Sequence, residues 1–218
     1  MKNLQITKLH KSFDRLQNKY GDKNLNAIYG AGNIKSPKIF FVFMNPTGRN
    51  ISSDKNWRGL RAPWVGTKNI WKVFHLAGLF DKKLYEKIQN KRIGGWDIDF
   101  VNEVYKQVFD KDIYITNLSK ATQIDARPLK NSDFFEYIDL IKKEINFVKP
   151  KIVITFGNQV SSILLGQKIE VSKNRRKCFG LTIGDTEYDV FPVHYPVGQG
   201  MRNIGMAITD VRWLYYRK

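Results

Sequence analysis

One cysteine, Cys178, stands in 218 residues. A lone thiol builds no disulfide framework, and it cannot supply a four-cysteine zinc site or an iron–sulfur cluster within the chain. Long hydrophobic runs are missing too. The longest apolar stretches are of strand length, too short to span a bilayer. The opening MKNLQITKLHKSFDRLQNKYG has no apolar signal-peptide segment and reads as an amphipathic helix, so the cytoplasm is the expected compartment. No Gly-x-Gly-x-x-Gly follows a strand and no Walker loop occurs, which removes the motifs of dinucleotide- and nucleotide-binding α/β proteins. A zinc deaminase would need His-x-Glu and Pro-Cys-x-x-Cys elements, and neither is present. Histidine is scarce, with only His10, His75 and His194, and no His/Asp set has metal-ligand spacing. No metal and no cofactor is therefore expected. Acidic residues are also few. Lys and Arg outnumber Asp and Glu by 37 to 20, a formal charge of +17. A folded domain this basic usually meets a polyanion, and the basic residues include clusters in expected loops: Arg49, Arg58 and Arg61, then Lys173, Arg175, Arg176 and Lys177.

What is present is enough for one domain with a full core: 42% of the residues are hydrophobic and 13% aromatic, which excludes a disordered chain. A single domain over 1–218 is expected, with residues 1–36 as an N-terminal helix and loop packed on it. The patterns predict a helix over about 4–19, a strand over 38–44, and a helix in TKNIWKVFHLAGLF with Ile70, Val73, Phe74 and Ala77 on one face and Gly78 near its end. One or two helices follow to 109, interrupted at Gly94-Gly95. A strand is expected over 112–117, then a strong helix with Ser132 as N-cap and Pro150 beyond its end. Next come a strand over 151–156, a turn at Gly157 into a short helix, two strands around Gly184-Asp185, a loop in HYPVGQGMRN and a last helix over 203–216. Strands alternating with helices, two of them continuous apolar runs, argue for a parallel sheet covered on both faces. The expected fold class is α/β, three layers α/β/α, with a central, mostly parallel four-stranded sheet. Asn45, Asn117 and His194 each stand at the end of a predicted strand. The carboxyl ends of parallel strands lie on one edge, so these residues, distant in sequence, can meet there.

Five stretches in order carry a resemblance: FMNPTG, APWVGTKNIWKVFHLAGLF, YITNLSK, KPKIVITFGNQVSSILLG and KCFGLTIGDTEYDVFPVHYPVGQGMRN. Together, over about 37–215, they resemble the uracil-DNA glycosylase superfamily, with mixed features of its mismatch-specific, single-strand-selective and thermostable branches. The chain departs from that pattern at Phe43, where Gly is usual, at Trp64 in place of Phe or Tyr, and at Tyr195, which is inserted between His194 and Pro196. The iron–sulfur cysteines of the thermostable branch are missing.

The resemblance implies hydrolysis of an N-glycosidic bond in DNA by a monofunctional glycosylase, in base excision repair. Its partner is DNA that contains uracil or another damaged base, and a monomer is expected, away from membranes. It implies Asn45 and His194 as catalytic residues, Asn45 orienting a water and His194 stabilising charge on the departing base. Met44, Pro46, Trp64 and Asn117 would bind the substrate: Trp64 stacks on the flipped base, and Asn117 reads its edge, donating to uracil O4 and accepting from N3–H. Gly48, Arg49, Arg175, Arg176, Lys177, Gln199, Met201 and Arg202 would contact DNA. Gln199 or Met201 would fill the space left by the flipped base. Thr47 is smaller than the Tyr of the uracil-restricted branch, so 5-substituted pyrimidines are not excluded. The alternative is a non-catalytic nucleic-acid-binding protein on the same fold.

Overall fold

The computed structural model describes residues 2–125 and 129–217, with the side chains of residues 2–4 and 199 left out. In chain order the main elements are α1 (Lys2–Tyr20), β1 (Ala31–Gly32), β2 (Ile39–Phe43), α2 (Asn69–Leu76), α3 (Lys82–Asn90), α4 (Ile98–Asp110), β3 (Ile113–Asn117) and α5 (Asn131–Val148). They continue with β4 (Ile152–Phe156), α6 (Asn158–Leu165), α7 (Val171–Asn174), β5 (Phe179–Ile183), β6 (Thr186–Val193) and α8 (Ile204–Tyr216). The sheet runs β1-β3-β2-β4-β6-β5. Its middle four strands, β3, β2, β4 and β6, pair in parallel, while β1 and β5 pair antiparallel at the two edges. The expected parallel four-strand centre is therefore present in a six-stranded sheet. β1 escaped the sequence reading because two residues of Ala and Gly carry no alternation to detect.

The central strands are apolar on both faces because both faces are covered. All five residues of β2, IFFVF, are buried, as are all five of β3. On one face Phe41, Phe43, Ile113, Ile115 and Phe156 pack against α2, α3, α4 and α8. On the other, Phe40, Val42, Tyr114 and Val153 pack against α1, α5 and α6. Local chemistry sets the helix ends. The Asp97 carboxylate accepts from Phe100 N–H at 2.8 Å to start α4, and Asp81 does the same for Leu84 at α3. At α5 the expected cap is corrected: the helix begins at Asn131, so Ser132 lies inside the first turn, and it is the Asp133 carboxylate that accepts Lys130 N–H at 3.1 Å. Lys149 closes that helix in the left-handed region, just before Pro150, whose ring cannot continue it. Three stretches read as loop carry short helices: a 3-10 helix at Ile51–Ser53, α7, and a 3-10 helix at Gly198–Asn203. A single turn or two shows too little periodicity to be seen in sequence.

One buried ion pair ties β3 to α5. Lys120 and Glu144 are 0% and 1% exposed, with Nζ 2.7 Å from Oε2. Lys120 Nζ also donates to the Asn117 carbonyl and lies 4.8 Å from the centre of the Phe13 ring. Glu144 Oε1 accepts from Tyr114 OH at 2.8 Å and Thr116 Oγ1 at 3.1 Å. Burial pulls the Lys120 ammonium below its ordinary range, and the Glu144 charge opposes that pull. Removing one partner of such a pair strands the other charge in the interior. Glu144→Gln is expected to destabilise the fold by about 3–5 kcal/mol, read as a lower midpoint in urea unfolding with an unchanged slope.

Candidate active site

The parallel register makes the central strands end together. Phe43, the last residue of β2, lies opposite Asn117, the last of β3. On its other side the Phe43 ring stacks on Phe156, centroids 4.3 Å apart, and Phe156 pairs with Val193 at the end of β6. Side chains alternate along a strand, so Asn117 shares the face of Ile113 and Ile115, which is also the face of Phe43 and Phe156. Trp64 and Tyr195 meet Phe43 edge-on, at 5.0 Å and 6.3 Å. The loops after β2 and β6 thus converge on one aromatic floor beside Asn117. The three departures from the family pattern, Phe43, Trp64 and Tyr195, are in contact with one another through Phe43.

Each polar group has a local reason for its place. Asn45 Nδ2 donates to the Pro46 carbonyl at 3.2 Å. That bond holds the carboxamide, and among the described residues Oδ1 accepts no hydrogen bond. The loop carrying Asn45 is zipped to the loop after β3: Leu118 N–H donates to Phe43 O at 2.7 Å, Ser119 to Met44 O at 3.0 Å, Gln123 to Pro46 O at 3.1 Å, and Gly48 back to Gln123 O at 2.7 Å. Pro46 is buried, Met44 half-buried, and Gly48 and Arg49 are exposed. Asn117 is 3% exposed. Its carbonyl is held by Lys120, which fixes the backbone that carries the amide. Trp64 sits in the left-handed region (φ 65°), a conformation disfavoured for a bulky side chain. It is held there by its carbonyl, which accepts from Thr67 Oγ1 at 2.8 Å and Trp71 Nε1 at 3.3 Å.

His194 lies across Tyr195, in a cleft of about 570 Å³ lined by Gly157, Asn158, Ser172, Arg175, Gly200 and Asn203, among others. Its Nε2 is buried without a partner among the described residues. Burial, then the Arg175 charge, pushes the imidazole below its ordinary pKa of 6.5, and Asp210 pulls the other way, so His194 is neutral at pH 7. Gly200 packs so closely on the Tyr195 carbonyl that a Cβ there would strike it, which fixes the His194–Gly200 loop. Asn45, Asn117 and Trp64 do not line this cleft. Tyr195 lines the cleft while its ring meets Phe43 and lies beside Gly157.

The basic residues divide into free and engaged. Arg49, Lys177 and Arg202 are exposed. Arg175 makes a fork to the buried Asp210 carboxylate, at 2.8 and 3.0 Å, and Arg176 adds a bond of 3.0 Å to the same group. The turn at 175–177 is thus pinned to α8 through a carboxylate that is 1% exposed. Arg61 is likewise engaged with Asp14 and the Tyr29 ring. Met201 is 53% exposed in the 3-10 helix after His194. Gln199 lies in that helix too, its side chain outside the described part. Asp210 and the Lys120–Glu144 pair were missed as site supports. A carboxylate inside a helical pattern announces nothing about what it holds, although Lys120 does stand in the recognised YITNLSK stretch.

Fold and edge together define a three-layer α/β protein in which two unpartnered buried nitrogens, Trp64 Nε1 and His194 Nε2, lie in the loops that follow strands of the parallel sheet. The family model described as the uracil DNA glycosylase superfamily matches residues 29–207, and the chain belongs to that superfamily. Its members are DNA-repair glycosylases, so the class of enzyme is a DNA glycosylase and its partner DNA. No curated protein sequence matches the chain. Among the described residues no helix is long and apolar enough to cross a membrane.

In an NMR titration the His194 imidazole is expected to titrate below 6.5. Arg175→Gln removes the cation and leaves Asp210 less neutralised, and both changes move the midpoint up. A midpoint at or above 6.5 in the parent protein, or no upward move in the variant, refutes the assigned environment.

Proposed function

We propose that the protein hydrolyses the N-glycosidic bond of uracil in DNA, as a monofunctional glycosylase without a metal or cofactor. The observation that carries this is the meeting of polar groups at the strand ends: the Asn117 amide, Asn45 Oδ1 and His194 Nε2, the last buried without a partner among the described residues. A buried nitrogen without a partner is costly in a folded protein, and a bound base would satisfy His194 Nε2. Uracil offers O4 as acceptor and N3–H as donor, the complement of an Asn amide. Asn45, with its nitrogen tied back to Pro46 O, presents an acceptor suited to orient a water toward the anomeric carbon. His194 supplies a neutral donor for charge developing on the leaving base, the kind of stabilisation that is worth about 10²–10³ in rate per donor. Trp64, partly exposed above the buried Phe43, supplies the flat apolar surface for the ring.

The base must leave the duplex to reach these groups, and the chain's positive charge of +17 supplies phosphate attraction for that encounter. Arg49, Lys177, Arg202 and Gly48 are the proposed phosphate contacts. Arg175 and Arg176 shape the wall of the cleft from their bonds to Asp210, which makes them positioning groups as well as charges.

Purified protein is expected to release free uracil from DNA in the presence of chelator. Asn45→Ala and His194→Ala should each lower single-turnover cleavage by about 10² or more, with little change in DNA affinity. Near-wild-type cleavage by either variant removes that residue from the mechanism. DNA binding without release of any base favours the non-catalytic alternative. Asn117→Asp replaces a donor by an acceptor, so uracil excision is expected to fall and a low level of cytosine excision to appear in the same assay. Normal uracil cleavage by that variant places the reader elsewhere.

A further inference from the structure

The loop after β3 carries an isoleucine that the fold leaves uncovered. Ile124 is 66% exposed, yet the residues just before it are held. Gln123 N–H and Gly48 N–H form the two bonds to the Asn45 loop given above, and Thr47 and Gln123 pair as an isolated parallel bridge. Gln123 Nε2 donates to Tyr20 O at 2.6 Å, and Thr122 N–H donates to the Gln17 side chain at 2.7 Å. The Ile124 carbonyl lies against Gly48, where a Cβ would come within 3.2 Å. A large β-branched side chain is thus displayed to solvent one residue beyond the bonds that join this loop to the Asn45 loop, on the edge where the sheet ends. Met201, 53% exposed, projects from the loop after β6 on the same edge, so apolar tips stand on both sides of the strand-end row. Exposed arginines, Arg49 and Arg202, accompany both.

Resting on the glycosylase reading, we propose that Ile124 is a second wedge, inserted into the base stack of duplex DNA on the β3 side of the flipped nucleotide while Met201 enters on the β6 side. A rigid aliphatic tip beside phosphate-binding cations suits this task. It unstacks a base step, it covers the gap with apolar surface, and its own entropy cost is small because the residues just before it are already held. The function of the wedge is needed only where bases are stacked in a duplex. In a single strand the nucleotide is already accessible.

Two measurements test this with Ile124→Ala, and with Phe109→Ala as an exposed apolar control (48% exposed) just before β3, at the opposite end of the sheet. The first is fluorescence of 2-aminopurine placed beside an abasic-site analogue in a duplex; it needs DNA binding but no catalysis. Parent protein and Phe109→Ala are expected to raise the signal by unstacking the probe, and Ile124→Ala to raise it much less at saturating protein. The second is single-turnover cleavage. Ile124→Ala should lose about tenfold on duplex and nothing on the same uracil in a single strand, the size expected for a small part of an unstacking cost of a few kcal/mol. A parent-like 2-aminopurine rise, or equal loss on both substrates, overturns the wedge. If no DNA is cleaved by any form, the glycosylase reading fails, and the fluorescence comparison still decides the wedge by itself.

Discussion

Parallel pairing in register brings β3, β2, β4 and β6 to a common end, at Asn117, Phe43, Phe156 and Val193. Every candidate group hangs from that row. A shift of a strand by one residue would turn its side chains to the other face, burying the Asn117 amide among the residues that face α1 and α5. The register is held by apolar strands buried on both faces, and by ring stacking of Phe43 on Phe156 and Phe41 on Phe74. Because the strand ends are flush, the loops that follow have to lie side by side, and their backbone groups satisfy one another across the crevice.

Two buried charge systems sit just behind that edge and do different work. Lys120 and Glu144 immobilise the end of β3 through the Asn117 carbonyl and through two more side chains of that strand, Tyr114 and Thr116. Asp210 gathers Arg175 and Arg176 and so fixes one wall of the His194 cleft. Both arrangements bury charge that must be paired and fully hydrogen-bonded to be tolerated. Their effect is to position the side chains in front of them.

The family to which the chain belongs commonly keeps a glycine where Phe43 stands. Here three rings, Trp64, Phe156 and Tyr195, surround that phenylalanine. Substituting one of these positions alone would overfill the floor or leave a gap, since interiors are packed like crystals. The departures therefore belong together: the inserted Tyr195 and the Trp64 ring are the neighbours that a side chain at position 43 requires. Tyr195 also lines the His194 cleft while its ring meets Phe43.

The sequence by itself determined the α/β class, the order of the long elements and the membership of Asn45, Asn117 and His194 at strand ends. Those features are written in local periodicity and in punctuation by Gly, Pro and Asn, which need no distant partner to be read. It also determined the positive charge, a sum that no fold can alter. Tertiary structure decided what pairing decides. It placed β1 and β5 as antiparallel edges, made a short helix and a pinned turn of a stretch read as a basic loop, and took Arg175, Arg176 and Arg61 out of the pool of free cations. A charged side chain looks the same in sequence whether it faces water or a buried carboxylate thirty-five residues away; only the packing of α8 against the end of the sheet settles which.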